Sequence, residues 1–227
     1  MSVVFETYRS VFDRSAAERT DYPWDAWRSA SYYYFIDIDL APRLGPVSDT
    51  AIAGFALAAC EWVCARLWPH PEVAEVLEFI DAAWARLLRQ RRGRWLELPY
   101  DDWQGPVRGP LRGAQLIAGE TVFDAIEDHD LVARACWASN LAKHVIDGPE
   151  KAAFEDWTSF VCDQLEALHP YEMPVAASLF DNHFPPPAPV PPAAFCHRPA
   201  YDPSRVAAYI SDHLSRLGPL NRYLGPD

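Results

Sequence analysis

The chain has 227 residues and a formal net charge of −12; half of its residues are hydrophobic and 23% are charged. A chain of this length buries a full core without disulfide or metal staples, and this composition excludes a disordered polymer. The negative charge argues against nucleic acid or an anionic membrane as partner, since both select a basic footprint, and it favours encounter with a basic protein.

The five cysteines include no C-x-x-C pair and read as buried thiols of a reducing compartment, Cys60 and Cys64 foremost. No apolar leader stands at the N-terminus. The longest uncharged apolar run, Ala51–Cys60, is too short to span a bilayer. A cytoplasmic location is therefore expected. Eighteen Arg against two Lys, beside many Ala and Pro, point to a GC-rich bacterial genome.

In chain order, residues 2–18 predict a helix with Val4, Phe5, Tyr8, Val11 and Phe12 on one side. Pro23 suits a first helical turn, followed by Trp24, Trp27 and Ser31 at helical spacing. Between Tyr32 and Leu40, Ile36, Ile38 and Leu40 alternate with Asp37 and Asp39, which is strand period. A half-buried strand or extended segment is the expectation. A D-x-D metal site is less favoured, because no other Asp, Glu or His cluster lies near in sequence.

Ser48 or Asp49 caps a helix over 49–68 in which only Glu61 and Arg66 are charged after the cap. Such a helix is central and buried. Residues 71–92 carry the apolar stripe Val73, Val76, Leu77, Ile80, Trp84, Leu87 and Leu88, with acids early and arginines late, as the helix dipole prefers. Gly93 is the expected stop.

The turn GPVRGPLRG leads to a helix expected to start at Pro110 and run to residue 126. Leu111, Ala114, Ala118, Val122 and Ala125 form its inner line, with Glu120, Asp124 and Glu127 in a row on the opposite side. Asp130 is placed as the cap of helix 131–146, whose inner line is Val132, Ala135, Ser139 and Ala142. Helix 149–168 turns Ala153, Phe154, Trp157, Phe160, Val161, Leu165 and Leu168 inward and Asp156 and Asp163 outward. Phe184–Pro199 is a proline-rich strap pinned by Phe184, Val190 and Phe195. Asp202 caps a last helix, 203–217, closed by Gly218, which packs on its own body or swaps into a second copy to make a homodimer.

The expected fold is all-α: one helical-bundle domain of seven to eight helices around helix 49–68. Its body spans 1–180, its strap 181–202, and its C-terminal helix and tail 203–227. Nucleophile-elbow, P-loop, zinc-protease and dinucleotide motifs are absent, so no catalytic residue, metal ligand or cofactor is assigned. Glu127-Asp128-His129-Asp130 reads as an exposed turn between helices. Arg108 and Arg112 read as a helix entry paired with Asp101, Asp102 or Glu120, with anion binding the weaker alternative.

Residues 114–172 hold twelve acids against three bases, a net charge of −9. The expected function is therefore binding of a basic protein through a face centred on Glu120, Asp124, Glu127, Asp128, Asp130, Asp156 and Asp163. A bacterial immunity or antitoxin protein masking a basic toxin such as a nuclease fits that description. The alternative is an enzyme or small-ligand binder with an aromatic pocket at Arg108 and Arg112.

Overall fold

In a computed structural model, which describes residues 2–89, 92–124, 130–172, 188–217 and 221–225, the helices are α1 (Val3–Tyr8), α2 (Arg14–Glu18), α3 (Ala30–Tyr33), α4 (Ala41–Leu44), α5 (Asp49–Arg66), α6 (Val73–Leu87), α7 (Gly105–Gly119), α8 (Leu131–Val145), α9 (Gly148–Leu168) and α10 (Val206–Arg216). No strand occurs among the described residues; two isolated bridges, Val47 to Pro170 and Gly93 to Leu224, are the only extended pairings there. The chain is an all-α helical bundle.

Helix α5 is the axis. Every residue from Thr50 to Arg66 is buried, as a helix without a polar face requires. Helix α8 packs on it most extensively, followed by α6, α7 and α1. Ala135, Ala138 and Ala142 of α8 and Ala51, Ala53, Ala56, Ala58 and Ala59 of α5 are all buried, and small side chains of this kind let helix backbones approach closely.

The two buried ionisable side chains inside α5 are tied to other elements. Glu61 accepts the Phe5 amide at 2.7 Å and the Trp84 indole N–H at 2.6 Å. It therefore satisfies one of the orphan N–H groups at the start of α1 while Ser2 Oγ accepts another, from Val4. Arg66 donates to the Arg19 carbonyl at 3.0 Å and lies 3.6 Å from Asp147.

Several boundaries differ from expectation. Residues 2–18 are two short helices, because the Asp13 carboxylate accepts the Ala16 amide and starts α2 afresh. Trp27 lies in a one-turn 3₁₀ segment, Ala26–Arg28, opened by Asp25. Helix α6 ends where Arg89 adopts a left-handed φ of 57°, four residues before Gly93. Helix α7 starts at Gly105, leaving Pro110 inside it. Pro110 has no N–H for the Pro106 carbonyl; the Tyr22 hydroxyl donates to that carbonyl instead. After Gly119 the chain makes a wider π turn over Glu120–Asp124. Asp130 stands at the start of α8 without capping it through its side chain. Val132 is only partly buried, and Leu168 faces solvent.

Beyond α9, Val190 and Phe195 are buried, and Phe184 lies outside the described residues. Pro192–Phe195 forms a 3₁₀ turn within the proline-rich segment. Its backbone is held from three sides: Thr50 donates to Ala188, Gln164 to Ala194, and Trp157 Nε1 to Phe195. Gly54 makes room for the Phe195 ring, since a Cβ at that position would sit 2.5 Å from its Cζ. Asp202 caps the short turn Pro203–Arg205 that leads into α10. The following segment folds back on its own body, with Asn221 donating to the Glu78 carbonyl and Tyr223 buried against Phe79. Gly218 lies outside the described residues.

Candidate functional site

The acidic positions are distributed unevenly. Glu120, at the end of α7, pairs with Arg134 at 3.2 Å. Asp163 pairs with Arg43 at 2.6 Å. Asp130 and Asp156 are exposed. Asp124 belongs to the π turn, and Glu127 and Asp128 lie outside the described residues. Helices α7 and α9 both pack on α5 and have at most marginal contact with each other. Among the described residues the expected acidic positions thus fall on separate elements, and between them lies the segment expected to be a half-buried strand or extended segment.

That segment is the loop Tyr34–Asp39. Phe35 and Ile36 are each 50% exposed and Ile38 is 81% exposed; only Leu40 is buried. The loop is fixed from behind by one face of α8. Asn140 Nδ2 donates to the carbonyls of Tyr33 at 3.2 Å and Phe35 at 2.9 Å. Lys143 Nζ lies 2.6 Å from Asp37 Oδ2, while Asp37 Oδ1 accepts the amides of Asp39 and Leu40. Burial pushes the Asp37 carboxyl up, but these donors and the Lys143 charge outweigh it and hold it below the usual carboxylate range. The Tyr34 ring stacks on Trp137 with centroids 3.8 Å apart, and the Arg134 guanidinium sits 4.5 Å from the Trp137 ring.

The acids meet this loop at both ends. Glu120 reaches it through Arg134 and Trp137. Asp163 reaches it through Arg43 of α4, the helix the loop runs into. Asp39 and Asp130 are exposed and make no ion pair among the described residues. The result is a preorganised apolar knuckle between carboxylates. Its backbone is anchored at the Tyr33 and Phe35 carbonyls and at Asp37, and its apolar side chains stand in solvent between polar neighbours. The alternation of Ile and Asp marks this stretch as a half-buried strand or extended segment; it is extended in part, with three of its apolar side chains in solvent. The feature that decides against a strand is Asp37, whose side chain closes a turn on the two amides that follow.

Asn140→Ala removes both carbonyl contacts at once. The freed carbonyls lie near water and rehydrate, so the expected stability loss is only about 1 kcal/mol. Amide exchange over residues 36–41 is expected to rise several-fold. Unchanged exchange there would show that Lys143 and the Tyr34 stack hold the loop without Asn140.

Arg108 and Arg112 are committed elsewhere. Arg108 pairs with Glu72 at 3.0 Å and donates to the Asp102 carbonyl. Arg112 donates to the Leu98 carbonyl, lies 3.9 Å from Glu97 and sits over the Tyr100 ring. Their partners are thus mainly Glu72 and Glu97, with Asp102 contributing its backbone. The crevice between Trp24, Tyr33, Tyr100, Trp103 and Arg112 has a volume of only about 20 Å³, far too small for a drug-sized ligand.

Among the described residues no three His, Cys, Asp or Glu side chains converge as a metal site would need. All five cysteines are buried, unpaired thiols. Burial raises each of them, Cys162 to about 11 and Cys196 to about 12, so none is a thiolate nucleophile at neutral pH. No described helix is long and apolar enough to cross a membrane. No family model matches the chain, and neither a curated protein nor a solved structure does.

Proposed function

We propose that the chain is a non-enzymatic protein-binding module whose contact surface is the Tyr34–Ile38 knuckle and its acidic rim, and whose partner is a basic protein. The observation that carries this reading is the exposure of Phe35, Ile36 and Ile38 on a backbone that α8 anchors at the Phe35 carbonyl and at Asp37. Packing of the bundle does not require three apolar side chains in solvent, and a partner that covers them gains their burial without ordering the loop. The surrounding carboxylates and the net charge of −12 select the sign of that partner. An immunity or antitoxin protein that masks a basic toxin in the bacterial cytoplasm is the biological form that fits this chemistry best.

The test uses the immobilised protein and a lysate of its native host. A basic protein is expected to be retained at low salt and to weaken as salt rises. Ile38→Asp, on a largely exposed side chain, is expected to leave the fold intact and to weaken retention about tenfold or more, corresponding to roughly 1.4 kcal/mol or more. Retention indifferent both to salt and to Ile38→Asp combined with Phe35→Ser overturns the proposal.

A further inference from the structure

A second site lies on the strap, between the start of α1, the turn Pro192–Phe195 and α10. The cavity there has a volume of about 190 Å³ and a mostly apolar wall, to which Val3, Pro192, Ala193, Cys196 and Tyr209 contribute. Of its polar groups, Asp212 and Arg216 stand at the mouth, and His213 lies deep in the wall. His213 is 4% exposed, and its Nε2 has no hydrogen-bond partner among the described residues.

The protonation of that ring follows from its surroundings. Burial lowers the His213 pKa to about 4, against the opposing pull of a hydrogen bond to the backbone of Asp81. The imidazole is therefore neutral at physiological pH. With its one proton on the other ring nitrogen, toward the Asp81 backbone, Nε2 presents a bare lone pair. A buried acceptor without a donor is destabilising unless something supplies one. At the mouth, Arg216 and Asp212 pair with each other at 2.7 Å, so neither is a spare charge calling for an ionic ligand.

We propose that this cavity binds a small neutral aromatic molecule carrying one O–H or N–H donor, of the size of phenol or indole, with the donor on His213 Nε2 and the ring against Val3, Pro192 and Tyr209. The dimensions agree: a dry protein cavity of about 150 Å³ takes benzene. The wall is too apolar for a sugar or a phosphate and too small for a nucleotide. The lone acceptor distinguishes a phenol from its methyl ether, because only the phenol relieves the unpaired nitrogen.

The experiment is a titration of the full chain with phenol, indole, anisole and benzene, followed by the His213 ring ¹⁵N resonances and by calorimetry. Phenol and indole are expected to bind saturably and to shift Nε2, with anisole and benzene roughly three- to tenfold weaker. Ala193→Leu, which fills the cavity from the strap side, is expected to abolish binding while the far-ultraviolet spectrum stays unchanged. His213→Gln is a second probe, but a buried substitution risks the fold, so the ligand series and Ala193→Leu decide the matter. No Nε2 shift up to the solubility limit of phenol, equal affinity for phenol and anisole, or binding retained by Ala193→Leu each overturns the proposal.

Discussion

Glu61→Gln is expected to lower stability at about pH 5 and to raise it above about pH 8, so that the stability curves of variant and wild type cross. Glu61 is fully buried in α5, and burial first, then the nearby Asp81, raise its carboxyl from 4.5 to about 8. The two N–H donors, Trp84 Nε1 and the Phe5 amide, pull the other way, since they favour the charged form, but they do not overcome the desolvation. The folded pKa thus lies above the unfolded one. Its contribution is fully present below about pH 4.5 and is lost as pH rises through the folded value, at about 1.4 kcal/mol per pH unit and up to roughly 5 kcal/mol in all. Gln carries no titration. It keeps one of the two donors paired and loses the other, at a cost of about 1–2 kcal/mol, and it does not suffer the charge burial at high pH. Thermal melts from pH 5 to 9 check the crossing. Parallel curves would mean that Glu61 is ionised and held by its donors throughout. Glu61→Leu, of similar volume, leaves both donors buried and unpaired, and is expected to cost about 2–5 kcal/mol at every pH.

The second large effect is expected from Phe195→Ala, at about 3–5 kcal/mol. The Phe195 ring is buried against Gly54 and the Trp84 indole, with the two ring centroids 5.5 Å apart. Removing it leaves a void that the rigid α5–α6 contact cannot close. In a domain of this size the melting temperature is expected to fall by roughly 10–15 °C, and protease cleavage within residues 188–199 to accelerate. Trp157→Phe separates the ring from the hydrogen bond. It deletes the Nε1 donor to the Phe195 carbonyl, but the Tyr8 hydroxyl remains at 3.2 Å from that oxygen. A loss of only about 1–2 kcal/mol is therefore expected. Gly54→Ala adds helix propensity, yet it drives a methyl into the Phe195 ring and is expected to destabilise on balance. A Phe195→Ala cost below about 1 kcal/mol would show that the strap is draped on the bundle and is no part of its core.

The core helices were legible because burial leaves a periodic trace. An all-apolar run with two charges could only be α5, and the stripe from Val73 to Leu88 could only be α6. Termini were less legible, because they depend on partners remote in sequence. Pro110 reads as a helix start until Tyr22 is seen supplying the donor that the proline lacks. Gly93 reads as a stop, yet Arg89 takes the left-handed turn first. The surroundings of the candidate site are less legible for a related reason. The spacing of Glu120, Asp156 and Asp163 gave their outward direction, but it could not show that Arg134 and Arg43 neutralise two of them. Nor could it show that α8 projects Ile38 into solvent. The knuckle depends on Asn140 and Lys143, about a hundred residues away, and no local pattern carries that information. The unpaired nitrogen of His213 is likewise a property of three elements meeting.

The latch between α1 and the strap has a consequence for the order of assembly. Tyr8 meets the Phe195 carbonyl across 187 positions, and Thr7 meets Cys196 across 189, whereas the α5–α6 bond from Trp84 to Glu61 spans only 23. On a ribosome, the first helix emerges long before the segment that will hold it has been translated. The short-range core is therefore expected to condense around α5 first and the latch to close over it later, because its loop-closure entropy is large. Contacts made after the rate-limiting step leave the folding rate almost untouched and act on the escape rate instead. The strap is thus expected to act as a time lock, with its loss raising the unfolding rate more than it slows folding.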